Sequence, residues 1–195
     1  MTIRQQILKK VYPLLMWLQQ KSSNGKSVEN RAMIKPLVPF HTLSLTLNNG
    51  KQLSLSDLGG KKILLVNTAS DCGYTHQYAE LQKLFEEAKD KVAIIGFPAN
   101  DFKEQEKGSD EEISRFCQVN YGVSFPIAKK AVVVKGPSQH PVYQWLTHPA
   151  QNGWNSKAPS WNFAKYLINE KGILTHYFEP AVSPVSEVMR RALEL

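Results

Sequence analysis

Cysteine is scarce in this chain, with 2 among 195 residues, and the pair, Cys72 and Cys117, stand far apart. So few cannot build the disulfide framework on which small secreted domains rely. Neither belongs to a Cys-x-x-Cys pair or sits with histidine at zinc-ligand spacing, so no structural metal is expected, and no cofactor either. Reducing, cytoplasmic conditions are the simplest expectation, and they leave both thiols available for redox chemistry. Long basic runs are also missing. The net charge of +7 comes from scattered lysines and arginines, never four in a row, with acids interleaved from Asp57 onward. Nothing would seat a helix in a groove, so nucleic acid is not an expected partner. No apolar run is long enough to span a bilayer.

What is present suits one folded domain, since 42% hydrophobic and 21% charged residues are ordinary globular values. Residues 1–35 read as a separate N-terminal piece and residues 36–195 as the domain. In the former, Ile3, Ile7, Leu8, Val11, Leu14, Leu15 and Leu18 recur at helical spacing among Arg4, Lys9, Lys10 and Lys21. Such a basic amphipathic segment suits packing on its own domain, peripheral contact of residues 1–21 with a membrane, or a cleaved signal, although Pro13 interrupts the apolar run. The polar stretch from Ser22 to Ser27 follows as a linker.

The domain opens with alternation over Phe40–Leu47, an Asn48-Asn49-Gly50 turn and alternation over Gln52–Leu55, which predicts a β-hairpin. Ile63-Leu64-Leu65-Val66 reads as a buried strand, broken by Ser70-Asp71-Cys72-Gly73. Helical spacing resumes with Tyr78, Leu81, Leu84, Phe85 and Ala88. A second aliphatic strand, Val92–Phe97, makes a parallel βαβ unit. Cys72 therefore falls between a strand's carboxyl end and a helix, where open α/β sheets place chemistry and where unpaired N–H groups favour a thiolate. The plain alternative is an inert small hydrophobe.

Ser109-Asp110-Glu111-Glu112 announces another helix, with Ile113, Phe116 and Cys117 on its apolar face. Ala131–Val134 is a third apolar run, and a short helix is expected around Pro141–Thr147. Tyr166–Ile168 and Leu174–Phe178, about a Glu170-Lys171-Gly172 turn, read as an antiparallel pair. Ser183-Pro184 reads as the start of a last helix, with Val185, Val188, Met189 and Ala192 on its apolar face. The sum is an α/β, thioredoxin-like fold, a mixed β-sheet flanked by helices on both faces.

Five separated words resemble the glutathione peroxidase family: Asn67 to Gly73, Gly96 to Phe102, Gln105-Glu106 with Gly108 to Ile113, Asn120 to Pro126, and Trp161-Asn162-Phe163. They stand in the family's order, over roughly Leu43 to Leu193. The resemblance implies a thiol peroxidase whose nucleophile is Cys72, grouped with Gln105, Trp161 and Asn162. The residue types make chemical sense, because indole and amide N–H groups stabilise a thiolate and a departing alkoxide without competing as bases. The substrates implied are hydrogen peroxide and organic or lipid hydroperoxides, and a monomer is expected.

The cycle implied has the Cys72 thiolate attack the hydroperoxide to give a sulfenic acid, which Cys117 resolves as a disulfide. Thioredoxin then recycles it. Cys117 faces a core, and cysteines whose Cα atoms lie more than ~7 Å apart cannot bridge, so the Asp110–Asn120 helix is expected to unfold locally on oxidation. Glutathione as reductant, a peroxide-sensing redox relay, and a structural module with an unreactive Cys72 remain alternatives. The chain departs from many relatives at Ala99 (a further cysteine), Asp71 (a lysine), Asp101 (a glutamine) and Lys103 (a glycine). A carboxylate at Asp71 disfavours a thiolate next to it.

Overall fold

A computed structural model describes residues 26–195. The expected N-terminal amphipathic helix, and the linker up to residue 25, lie outside the described residues. The central strand β4 (Lys62–Thr68) is buried along its whole length. Its alternate side chains serve two cores, as a two-residue period requires: Leu64 and Val66 point to one face, Ile63 and Leu65 to the other. β4 pairs in parallel with β5 (Val92–Pro98) and antiparallel with β6 (Lys165–Ile168). β7 (Leu174–Phe178) extends β6, and β1 (Ser27–Glu29) closes the edge, giving the order β1-β7-β6-β4-β5. Mixed pairing and the parallel βαβ unit are therefore as the sequence predicts.

Against the Leu64 face pack α1 (Gln77–Ala88), α2 (Asp110–Tyr121) and α5 (Glu187–Leu193), through Tyr78, Leu81, Leu84, Ile113, Cys117, Met189 and Leu193. The Ile63 face is covered by α3 (Pro141–Thr147) and by the hairpin β2 (Ser44–Thr46) and β3 (Gln52–Ser54). A one-turn helix, α4 (Pro149–Asn152), follows α3. α2 has the capping box its sequence announces, with Ser109 and Glu112 satisfying each other's backbone N–H groups. Its other end turns on Gly122, at φ 64°, and the Gly122 N–H reaches the carbonyl of Cys117. Cys117 thus sits where the helix is held by its C-terminal cap.

Several expectations are corrected. Phe40–Thr42 is a 3₁₀ turn that inserts Phe40 into the core, so the hairpin starts only at Ser44. The apolar run Ala131–Val134, given no element from sequence, lies outside the sheet strands; Val132 makes one isolated bridge to Gln139, and Ala131 N–H reaches the Pro98 carbonyl. The last helix starts three residues later than expected, because Ser186 rather than Ser183 caps it by accepting the Met189 N–H. Val188 is consequently 48% exposed, and Leu193 takes the expected inward place. β1 is an addition, placing residues 27–29 on the main sheet through β7.

Candidate active site

The turn from Ala69 to Thr75 is closed by one side chain. The Thr75 hydroxyl accepts the Cys72 N–H at 3.0 Å and faces the carbonyls of Ala69 and Cys72 at 2.9 and 2.7 Å. This folds Cys72 under the strand end, and the residue is only 5% exposed. Its sulfur accepts the Tyr74 N–H at 3.4 Å, so the backbone donor is in the turn ahead of α1 rather than in the helix's first turn. The side-chain N–H groups of Trp161 and Asn162 also favour its ionised form.

These two donors arrive from the other side of β4, on a loop that Asn67 holds. Asn67 Nδ2 donates to the Trp161 carbonyl at 3.0 Å, Oδ1 accepts the Ala164 N–H at 3.1 Å, and the Asn67 carbonyl accepts the Phe163 N–H at 2.6 Å. The clamp supports a backbone that would otherwise be unfavourable. Phe163 has φ 67°, a left-handed conformation costing a non-glycine residue of order 1–3 kcal/mol. Its ring is buried edge-on against Tyr78, with centroids 5.4 Å apart. Asn162 is wholly buried, and its Nδ2 also donates to Gln105 Oε1 at 3.0 Å.

Gln105 is positioned from its backbone, whose carbonyl accepts the Asp71 N–H at 3.1 Å. The preceding Lys103 and Glu104 both adopt φ near 50°, at 51° and 52°. That explains why glycine suits position 103, and why lysine there carries a conformational cost. The lysine places its Nζ 5.7 Å from the Trp161 ring centroid, while Phe102 packs on the same indole at 5.5 Å. Asp101 is spent on the Val133 N–H, which Oδ2 accepts at 2.9 Å.

Burial is the largest influence on both thiols. It pushes the Cys72 thiol above its ordinary range, while the Tyr74 N–H, Trp161 and Asn162 pull it down. Asp71 raises it too, and its contribution is the smallest of these. Cys117, 1% exposed, is pushed up to about 12 by burial, with Tyr78 as the opposing partner. The two cysteines are free thiols. No group of three or more metal-ligating side chains occurs among the described residues.

Residues 40–147 match the glutathione peroxidase family. Glutathione peroxidase homolog BsaA of Halalkalibacterium halodurans is 46% identical over 147 residues, 75% of this chain and 92% of that protein. The chain belongs to the glutathione peroxidase family. Glutathione peroxidase-like peroxiredoxin HYR1 of Saccharomyces cerevisiae is 43% identical over 148 residues, 75% of this chain and 90% of the relative. The crystal structure of T. cruzi GPX1 superimposes with a TM-score of 0.62 at 26% identity, covering 80% of this chain and 94% of that one. The fold is thioredoxin-like, and the activity is that of a thiol peroxidase, cysteine-based reduction of hydroperoxides with electrons from a thiol reductant.

Within this glutathione peroxidase, four of the five expected site residues come together: Cys72 with Trp161 and Asn162, and Gln105 through Asn162. Cys117, on the inner face of α2, is buried in the same apolar cluster as Cys72 but is not among the groups that act on its sulfur. Three contributors had no role assigned from sequence. Asn67 carries a visible signal, an amide inside a run of buried aliphatics. Thr75 carries none beyond turn composition. Glu106 stands next to Gln105 in a matched word and is 1% exposed, which no periodicity announces.

Proposed function

We propose that Cys72 is the peroxide-reducing nucleophile, with Trp161, Asn162 and Gln105 as its donor set and Cys117 as the resolving thiol. The Tyr74 N–H bonded to the Cys72 sulfur, together with Trp161 and Asn162 favouring its ionised form, supports this above all. In the resting enzyme the thiol is largely protonated, and peroxide attack needs the thiolate. The donors lower the cost of that ionisation and then face the oxygen that departs. Asn162 Oδ1, buried without a protein partner, is placed to accept the O–H of a hydroperoxide. Attack leaves a sulfenic acid on Cys72 and water or an alcohol.

Cys117 then forms a disulfide with Cys72, and a dithiol of the thioredoxin class reduces it. Burial of Cys117 under α2 means that the last turns of that helix must open first. Steady-state turnover with thioredoxin and with glutathione, for the native enzyme and Cys117→Ser, tests the scheme. Thioredoxin-driven turnover is expected to fall at least tenfold in the variant while glutathione-driven turnover persists. Equal thioredoxin rates would remove Cys117 from the cycle.

The same reading takes the enzyme as a cytoplasmic monomer that meets membranes through its N-terminal side. Met33, Ile34, Leu37 and Val38, which follow residues 1–21, present apolar side chains, and Leu37 is 75% exposed. Such a patch next to a basic segment suits an interface carrying anionic lipid and lipid hydroperoxides. Among the described residues no helix is long and apolar enough to cross a membrane. Deleting residues 1–21 is expected to abolish sedimentation with anionic vesicles; unchanged sedimentation would refute the membrane role.

A further inference from the structure

The loop after β5 carries a lysine where its backbone favours glycine. Lys103 and Glu104 adopt φ 51° and 52° in succession, a left-handed turn that glycine enters freely and that strains a residue with a side chain. Strain of this kind at a site is a pointer to function. The acids of the loop are engaged elsewhere: Asp101 Oδ2 accepts the Val133 N–H at 2.9 Å, Glu104 pairs with Lys107 at 3.0 Å, and Glu106 accepts the Ser70 hydroxyl at 3.0 Å. Lys103 is exposed and has no carboxylate partner among the described residues, so its charge is not neutralised locally. Its Nζ stands over the Trp161 ring, 5.7 Å from the centroid.

The ring beneath that ammonium belongs to the site. Trp161 packs on the apolar cluster that contains Cys72, and its indole N–H favours the Cys72 thiolate. Phe102 lies against the same indole with ring centroids 5.5 Å apart, and both rings are half-buried. Two residues beyond Lys103, the Gln105 carbonyl accepts the Asp71 N–H at 3.1 Å, which ties the loop to the residue before the nucleophile. The site is thus bordered by a ledge of two aromatic rings that ends in a cation. Its other border has the opposite charge. A cleft of about 730 Å³ beside Gln105 is lined by Asp71, Glu104, Glu106 and Glu112, and Lys107, the one cation among its lining residues, is the partner of Glu104.

Opposite charge on the two borders sorts substrates by charge. A hydroperoxide that carries a carboxylate is repelled from the acidic cleft and drawn onto the ledge, whereas a neutral one is indifferent. We propose that Lys103 is a specificity-determining residue that receives the carboxylate of anionic organic hydroperoxides, the class to which peroxidised free fatty acids belong, while Phe102 and Trp161 support the apolar body. The proposal deepens the peroxidase reading and rests on Cys72 being the nucleophile. The ammonium meets only the carboxylate, so the reacting atoms are those of any other hydroperoxide: the Cys72 sulfur takes one oxygen as sulfenic acid, the O–O bond breaks, and the other oxygen leaves as the alcohol. The effect lies in binding and orientation of the substrate.

The test takes the full chain, reduced and then freed of reductant, and follows one turnover by stopped flow at pH 7. The substrates are a matched soluble pair, para-carboxycumene hydroperoxide and its methyl ester. With no reductant present, charge effects on reductant docking do not enter. The readout is the ratio of the two second-order rate constants, in which any change in Cys72 reactivity common to both substrates cancels. Native enzyme is expected to prefer the carboxylate about two- to fivefold at low salt, the worth of one exposed ion pair. The preference should vanish at an ionic strength of about 1 M, where screening acts within ~3 Å. Lys103→Met should bring the ratio to about one and Lys103→Glu below it, while Lys103→Arg should keep the native value. A native ratio of one or less overturns the proposal, as does a preference that survives in Lys103→Met or at high salt. A Cys72→Ser enzyme that reduces either hydroperoxide at the native rate overturns the nucleophile itself, an outcome visible without any Lys103 variant.

Discussion

Trp161→Phe removes the indole N–H that favours the Cys72 thiolate and leaves the aromatic packing on Phe102. A hydrogen bond to a charged acceptor is worth about 1.5–3 kcal/mol, and sulfur is a diffuse acceptor, so the low end applies. At 1.36 kcal/mol per pKa unit, the Cys72 thiol should rise by about one unit. The thiol is already above its ordinary range, so thiolate at pH 7 drops about tenfold. A more basic thiolate is a better nucleophile, with a Brønsted coefficient of about 0.4–0.5, which returns about threefold. Loss of ionisation alone therefore predicts a net fall of only about threefold at neutral pH, reversing to a gain of about threefold where both enzymes are fully ionised. If the indole also stabilises the departing oxygen, the variant stays slower across the whole profile, and that is the expected result. Stopped-flow peroxide consumption against pH, with Cys72 alkylation rates for the thiol pKa, separates the cases. A variant faster than native enzyme at high pH would confine Trp161 to ionisation. An unchanged pKa would mean that it does not donate to sulfur at all.

Asn67→Ala should show how the donors are held. It removes two buried hydrogen bonds and leaves the Trp161 carbonyl and Ala164 N–H without them, at about 1–3 kcal/mol for each unsatisfied group. Urea unfolding should register a loss of about 2–6 kcal/mol, with peroxidase activity falling beyond what the unfolded fraction explains; a loss below about 1 kcal/mol would contradict the clamp. Lys165 provides a test by pH. It is wholly buried, with Nζ donating to the Pro180 and Val182 carbonyls, and burial lowers its pKa to about 7. Between about 7 and its unfolded value near 10.4 the unfolded chain binds the extra proton, so this residue makes stability rise with pH over that window, by up to about 1.4 kcal/mol per unit. The stability difference between native enzyme and Lys165→Met should therefore change between pH 7 and 9 and stay constant below 6. A difference independent of pH throughout would show that the amine is not titrating there.

The strand–cysteine–helix order was legible because the strand opened by Ile63–Val66 runs into Ser70-Asp71-Cys72-Gly73, which suits neither a strand nor a helix. The capping box of α2 was equally plain, since Ser109 and Glu112 stand at the spacing the motif requires. β1 was not. Ser27-Val28-Glu29 offers one apolar residue, and only pairing with β7 makes it a strand. The degree of burial of Cys72 was equally invisible, because a residue just past an apolar run reads as a rim position. Thr75 turns that rim inward through three hydrogen-bond contacts, none of which has a sequence period. Asp71 disfavours the thiolate as its position in the sequence indicates, but desolvation, which no sequence pattern shows, comes first and Asp71 last.

That ordering bears on why the donors are neutral. A cation next to Cys72 would oppose the burial effect directly. Yet an amine buried here without a carboxylate partner is held only weakly as a cation. Lys165, satisfied by two carbonyls, is already brought down to about 7 by burial. An ammonium buried as deeply beside the nucleophile would lose its proton across the pH range in which the thiolate is needed, and its help with it. An indole N–H and a carboxamide have no proton to lose in that range, so their stabilisation of the sulfur is independent of pH. The cost is that neutral donors do not cancel the desolvation, and Cys72 remains above its ordinary range. Their larger contribution must then come after ionisation, where negative charge moves from sulfur to the departing oxygen and fixed dipoles need no reorganisation to follow it.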